Sequence, residues 1–110
     1  MTLEQVLISA IHDKTSLEVM YQGFARIVCP CRLGWKTTEK DGFHKNFFCY
    51  QIGGYSKSGL KPDGSMDNFR CWNLDEIRSA LPVNAPWFCP PVWPKEPSQC
   101  IDDVIAEVRV

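Results

Sequence analysis

Apolar residues first recur at helical spacing: Leu3, Val6, Leu7, Ala10 and Ile11 fall at i, i+3, i+4, i+7 and i+8. Thr2 with Gln5 makes a T-x-x-Q capping box, in which each side chain satisfies a backbone N–H that the first turn leaves unbonded. Together they predict an amphipathic helix over residues 3–13. The period then drops to two. Leu17-Glu18-Val19-Met20-Tyr21 reads as a strand, Gln22-Gly23 as a turn, and Phe24 to Leu33 as the hairpin partner. Alternation puts Ala25, Ile27, Cys29, Cys31 and Leu33 on one face of that partner, and Phe24, Arg26, Val28 and Pro30 on the other. Pro30 has no N–H to donate, so the strand is expected to bend or to lie at an edge there.

Further along, Lys36 to Gly42 is polar and ends in Asp41-Gly42, a favoured hairpin turn, and Asn46 to Tyr55 is again strand-like until Gly53-Gly54 weakens its end. Ser56 to Asp67 reads as a loop and Asn68 to Leu74 as another strand. Asp75 is placed to cap a short helical turn through residues 76–80, which Pro82 stops. Six prolines between Pro82 and Pro97 forbid a regular helix or a central strand, yet Trp87, Phe88, Val92 and Trp93 are too apolar for a free linker. This segment is expected to form an extended strap over the barrel; the alternative is an exposed aromatic-proline patch for a partner. Ile101, Val104, Ile105 and Val108 form a helical stripe behind Ser98, predicting a C-terminal helix over 98–109. The pattern predicts one mainly β (α+β) domain: an N-terminal helix, a small antiparallel barrel over about 16–80, the strap over 82–97 and the final helix.

Composition leaves room for this. The 110 residues are 45% hydrophobic and 23% charged, enough to bury one core. Six cysteines in a short chain would suggest disulfides in a secreted protein, but Met1 to Gln5 show none of the features of a signal peptide. The expectation is a cytoplasmic protein with reduced thiols. No apolar run approaches the roughly 20 residues a membrane helix needs, so no membrane partner is expected. A net charge of −1 exerts no overall pull on nucleic acid, although residues 23–60 carry +4 and the segments on either side are acidic.

Chemistry concentrates on two arginines. Arg26 shares a strand face with Phe24 and Val28, and Arg70 shares one with Trp72 and Leu74. A planar guanidinium beside aromatic rings suits phosphate or carboxylate recognition and stacking, while an internal ion pair, for example with Asp75, uses the same residues. Tyr50, Gln51 and Tyr55 could add stacking and amide hydrogen bonds, or could simply be packed core. Cys29-Pro30-Cys31 draws attention to zinc, yet structural zinc sites use C-x2-4-C pairs, and both thiols share a face with Ile27 and Leu33. Buried thiols are the simpler reading. A Cys–His catalytic pair through His12 or His44 has no motif behind it, and no nucleophile elbow, H-E-x-x-H helix or phosphate loop is present. A non-enzymatic protein with no cofactor is expected.

Several strings in this order resemble the WYL domain family. Leu17 to Tyr21 is similar to its first strand, Arg26-Ile27-Val28-Cys29-Pro30 to its R-x-V-x-P strand, and Phe69 to Ile77 to its R-x-F-R-L-D-R-I string, with Arg70, Trp72, Leu74, Asp75 and Ile77 in matching positions. Asn73 and Glu76 stand where that string commonly has arginines, and Cys49 to Ser56 resembles a Tyr-Gln variant of the signature run. The resemblance implies an SH3-like or Sm-like barrel that senses nucleotides or single-stranded nucleic acid, usually beside a helix-turn-helix domain. This chain carries no such domain, so a self-contained transcription factor is not expected. Two functions follow. One is a ligand-sensing module holding an anion through Arg26, Tyr50, Gln51, Tyr55 and Arg70. The other is a module that docks a protein partner or a second copy through Trp87, Phe88 and Trp93 or through a barrel edge.

Overall fold

The computed structural model describes residues 1–37, 43–57, 59–62, 64–88, 90 and 100–109. Helix α1 (Leu3–Asp13) begins at Thr2, whose hydroxyl accepts from the Gln5 N–H while the Gln5 side chain accepts from the Thr2 N–H. The predicted capping box is present in full. Leu7, Ala10 and Ile11 form its buried stripe. Six strands follow: β1 (Leu17–Tyr21), β2 (Phe24–Lys36), β3 (His44–Gly54), β4 (Phe69–Asn73), β5 (Ile77–Pro82) and β6 (Asp103–Glu107). All pair antiparallel, in the order β4-β3-β2-β1-β5, with β6 attached to β2 beyond the end of β1.

The long β2 organises the sheet. Its first half pairs with β1 through a two-residue turn in which Gln22 and Gly23 both take positive φ (50° and 84°), the twist that joins antiparallel strands tightly. Its second half pairs with β6. Pro30 falls in the gap between β1 and β6, paired with Cys49 of β3 on one side and with no described strand on the other. The β2–β3 register breaks between Pro30 and Arg32, the irregularity expected at the proline. A second shift, between Ile27 and Val28, breaks the simple face assignment along β2. Near Gly34 the chain before β6 comes so close that an added Cβ would lie 2.4 Å from the Asp103 carbonyl oxygen and 2.5 Å from Ile101 Cγ2.

Three expectations are corrected. Residues 103–107 form strand β6, and no described residue of the C-terminal segment is helical. The apolar stripe suits a helix, but the free flank of β2 offers backbone partners and decides the outcome: Ile101, Ala106 and Val108 are buried, Val104 and Ile105 of the stripe are left exposed, and buried Arg32 on β2 pairs with Glu107. Residues 76–80 do not form a helical turn. A 3-10 turn spans Leu74–Glu76, capped by the Asn73 side chain and not by Asp75, and the chain then runs straight into β5 along β1. Finally, the thiols are not all reduced: Cys71 on β4 forms a disulfide with Cys100, with Cα atoms 6.6 Å apart. The two lie 29 residues apart in sequence, and only the sheet brings them together. The Asp41-Gly42 turn, Val92 and Trp93 of the strap, and Ser98 lie outside the described residues.

The beginning of the strap packs against the sheet. The Trp87 indole N–H donates to the Pro30 carbonyl at 3.2 Å, the Ser16 hydroxyl donates to the Pro86 carbonyl at 2.8 Å, and the Phe88 ring meets Tyr50 edge-on at 5.1 Å. No helix among the described residues is long and apolar enough to cross a membrane.

Candidate functional site

Register places Arg26 opposite Val19 across β1–β2, and Arg70 opposite Cys49 across β3–β4. Strand alternation adds Trp72 to the Arg70 side and Gln51 to the Cys49 side. The sheet curls enough for Tyr21 on β1 to stack on Trp72 of β4, their ring centroids 4.4 Å apart, although these strands are not neighbours. Both arginines are thereby drawn into one region.

Arg26 sits among three aromatic rings. Its guanidinium carbon lies 5.1 Å from the Tyr21 ring centroid, 5.3 Å from that of Tyr55 and 5.3 Å from that of Trp72. Such faces attract a cation electrostatically, and more strongly when water is excluded. The residue is only 6% exposed. One Nη donates weakly to the Tyr21 carbonyl at 3.3 Å, and Nε, buried, has no hydrogen-bond partner among the described residues. No ion pair to Arg26 is found there either. Gly54 permits this approach: its φ is +79°, and a Cβ there would meet the Ala25 carbonyl at 2.5 Å and the Arg26 Cα at 2.7 Å. Tyr55 is held beside it by the backbone, its N–H donating to the Ala25 carbonyl at 2.9 Å. The exposed Phe24 ring stacks on Tyr55 at 3.9 Å, closing the outer side.

Arg70 is differently employed. Nε donates to Gln51 Oε1 at 3.0 Å and an Nη to the Ser56 hydroxyl at 3.0 Å, while the other Nη reaches the Asp67 and Phe69 carbonyls. Gln51, fully buried, spends its own amide on the carbonyls of Gly53 (2.9 Å) and Tyr55 (2.7 Å). Arg70 and Gln51 thus brace the loop that carries Tyr55. Burial, with Arg26 nearby, lowers the Arg70 pKa from its ordinary value. Burial pushes the Cys49 thiol well up, and the two guanidinium groups only partly offset it. A thiol held protonated in this way is a poor nucleophile.

Of the residues singled out from sequence, Arg26, Gln51, Tyr55 and Arg70 come together. Tyr50 does not join them. It is fully buried on the opposite face, where its hydroxyl donates to the Ser65 carbonyl at 2.9 Å and accepts from the Gly64 N–H at 2.7 Å, fastening the loop before β4. Trp87 and Phe88 are half-buried against the sheet; Trp93 lies outside the described residues. Cys29 and Cys31 are buried thiols: Phe88 N–H donates to Cys29 Sγ at 3.5 Å, and Cys31 Sγ donates to the Cys29 carbonyl at 3.3 Å. No group of three or more metal-binding side chains occurs among the described residues.

No family model, curated protein or solved structure matches the chain. The site therefore rests on its own geometry.

Sequence reasoning missed Tyr21 and Glu76, and set Trp72 beside Arg70 without making it part of the site. The Tyr21 hydroxyl donates to Glu76 Oε2 at 2.8 Å, and the Gln22 side-chain amide donates to the same oxygen at 3.2 Å. Burial first, and this hydrogen bond and charge next, push the Tyr21 pKa up to about 12. Glu76 also borders an open cleft of about 550 Å³ between the β1–β2 turn and residues 74–78, lined by Met20, Gln22, Gly23 and Asp75 to Arg78. The Arg70-x-Trp72 spacing was a usable signal, since it puts a guanidinium and an indole on one face. Nothing local ties Tyr21 to Trp72.

Proposed function

We propose that this chain is a non-enzymatic binding module for a small anion, with Arg26 as its recognition group. One observation carries the reading: a guanidinium 6% exposed, ringed by three aromatic faces, with its Nε–H unpaired and no ion pair among the described residues. A buried charge without a counter-ion is costly, and an anionic oxygen reaching Nε would relieve that cost. Arg70 and Gln51 act behind it as positioning residues that hold Tyr55 in place. The outer face of Phe24, whose other face is stacked on Tyr55, would receive a planar ligand group. Glu76 beside the site adds negative charge, which favours a nucleoside monophosphate over a longer single-stranded polyanion. A WYL-like domain of SH3-like or Sm-like barrel type, placed in the cytoplasm, accords with this reading.

A thermal-shift screen of the metal-free protein against inorganic phosphate, adenosine monophosphate, short single-stranded oligonucleotides and divalent metals tests it, because a ligand raises the melting temperature only if it binds the fold. Stabilisation by the monophosphate that weakens with salt, and that disappears in Arg26→Gln while the variant remains folded, is the expected result. Equal stabilisation of wild type and Arg26→Gln would overturn it.

The second reading, docking of a protein partner or a second copy at a sheet edge, is favoured by β6, where Val104 and Ile105 are 47% and 40% exposed. It requires mass to rise with concentration; a constant monomer mass speaks against self-association.

A further inference from the structure

The disulfide lies close to the proposed site in sequence but on the other side of the strand. Cys71 is flanked directly by Arg70 and Trp72, so the bond holds the backbone between Trp72, whose ring packs on Arg26, and Arg70, which braces the loop carrying Tyr55. β4 ends the sheet path and pairs with β3 alone among the described strands. Such an edge strand is restrained from one side only, and its order depends on whatever else is attached to it.

The two ends of the bridge are not equivalent. Cys100 is fixed by its surroundings: the Asn46 side-chain amide donates to its carbonyl at 2.8 Å, the neighbouring Ile101 is buried, and the Asp102 N–H donates to the Trp35 carbonyl at 2.7 Å. Cys71 is exposed. Cys100 is therefore the post and β4 the part it restrains.

We propose that the Cys71–Cys100 disulfide is a redox latch on the anion site: oxidised, it holds β4 so that Trp72 and Arg70 keep Arg26 in its binding geometry; reduced, it loosens β4 and weakens binding. The inference rests on the anion-binding reading for what is regulated, but not for the latch itself. The step is thiol–disulfide exchange with a dithiol. One thiolate of the dithiol attacks Cys71 Sγ to form a mixed disulfide, and Cys100 leaves as a thiolate. The second thiol of the reagent then displaces Cys71 and closes the reagent's own disulfide. Two electrons and two protons pass to the protein, which ends with two thiols. In a reducing compartment a disulfide is characteristically transient or regulatory, which suits an exposed bond next to a binding residue.

The test uses full-length protein purified without reductant. Peptide mapping after alkylation should find the Cys71–Cys100 link, and its absence would overturn the proposal. Hydrogen exchange over residues 69–73 and the affinity for adenosine monophosphate are then measured before and after treatment with dithiothreitol, and again after reoxidation. The latch predicts faster exchange in β4, a roughly tenfold loss of affinity on reduction, and recovery of both on reoxidation. Cys71→Ser should behave as the reduced form and ignore dithiothreitol. Unchanged exchange in β4 overturns the latch, whatever the binding data show. Faster exchange with equal affinity overturns its control of the site but leaves the anion reading standing. Faster exchange with no monophosphate binding in either state overturns the anion reading and confirms the latch as a conformational device alone.

Discussion

At the scale of single residues, the protein is distinguished by what it does with two guanidinium groups. Arg70 has hydrogen-bond partners on all three of its nitrogens, whereas Arg26 has an unpaired Nε and aromatic faces in place of a counter-ion. From sequence they were equivalent, each an arginine beside apolar strand neighbours. What separates them is mostly long-range: the Gln51 amide and the Ser56 hydroxyl come to Arg70, and Trp72 to Arg26, through strand order, while Tyr21 reaches Arg26 across the β1–β2 hairpin. Tyr21 permits a direct check. Its pKa stands at about 12 against an ordinary 10.0, so folding favours the neutral phenol. That contribution is complete below about pH 10 and is lost as pH rises through about 12. Alkaline titration followed by phenolate absorbance should show a late ionisation that accompanies loss of stability and is missing from Tyr21→Phe. Ionisation of Tyr21 near pH 10 would show that its burial and its contact with Glu76 do not persist in solution.

At the scale of elements, the helix and the hairpin were legible because their signals are local. Thr2 and Gln5 cap the helix, Gln22-Gly23 supplies the turn, and alternation marks β1, β3 and β4 to within two residues. The segments misread were those whose conformation is decided elsewhere. Residues 103–107 carry a stripe that suits a helix, but the open flank of β2 recruits them as β6. Residues 77–82 extend because β1 offers its other edge. Nor does spacing alone pair Cys71 with Cys100. The β2–β6 junction has a sharp requirement at Gly34, where any Cβ would meet backbone. Gly34→Ala is expected to cost about 1–3 kcal/mol, by forcing β6 away from β2. Denaturant unfolding measures this, and a loss within error of zero would mean that the two strands are not so closely joined.

For the molecule as a whole, an antiparallel sheet curls until rings from non-adjacent strands meet, and a charged side chain is enclosed where they do. A mainly β fold with one N-terminal helix and an antiparallel sheet was legible in the pattern of apolar positions; the enclosure was not, because it depends on curl and on two register shifts along β2. The disulfide through Cys71 and the loop braced by Arg70 both meet β4, whose Trp72 supplies one wall of that enclosure. The most direct measurement is the Nε–H resonance of Arg26 in a nitrogen-15 spectrum, assigned by its disappearance in Arg26→Lys and followed during titration with adenosine monophosphate. A saturable shift of that resonance, larger than any at the other arginines and reduced by added salt, is the predicted result. A resonance that stays in place throughout the titration would contradict anion binding at Arg26.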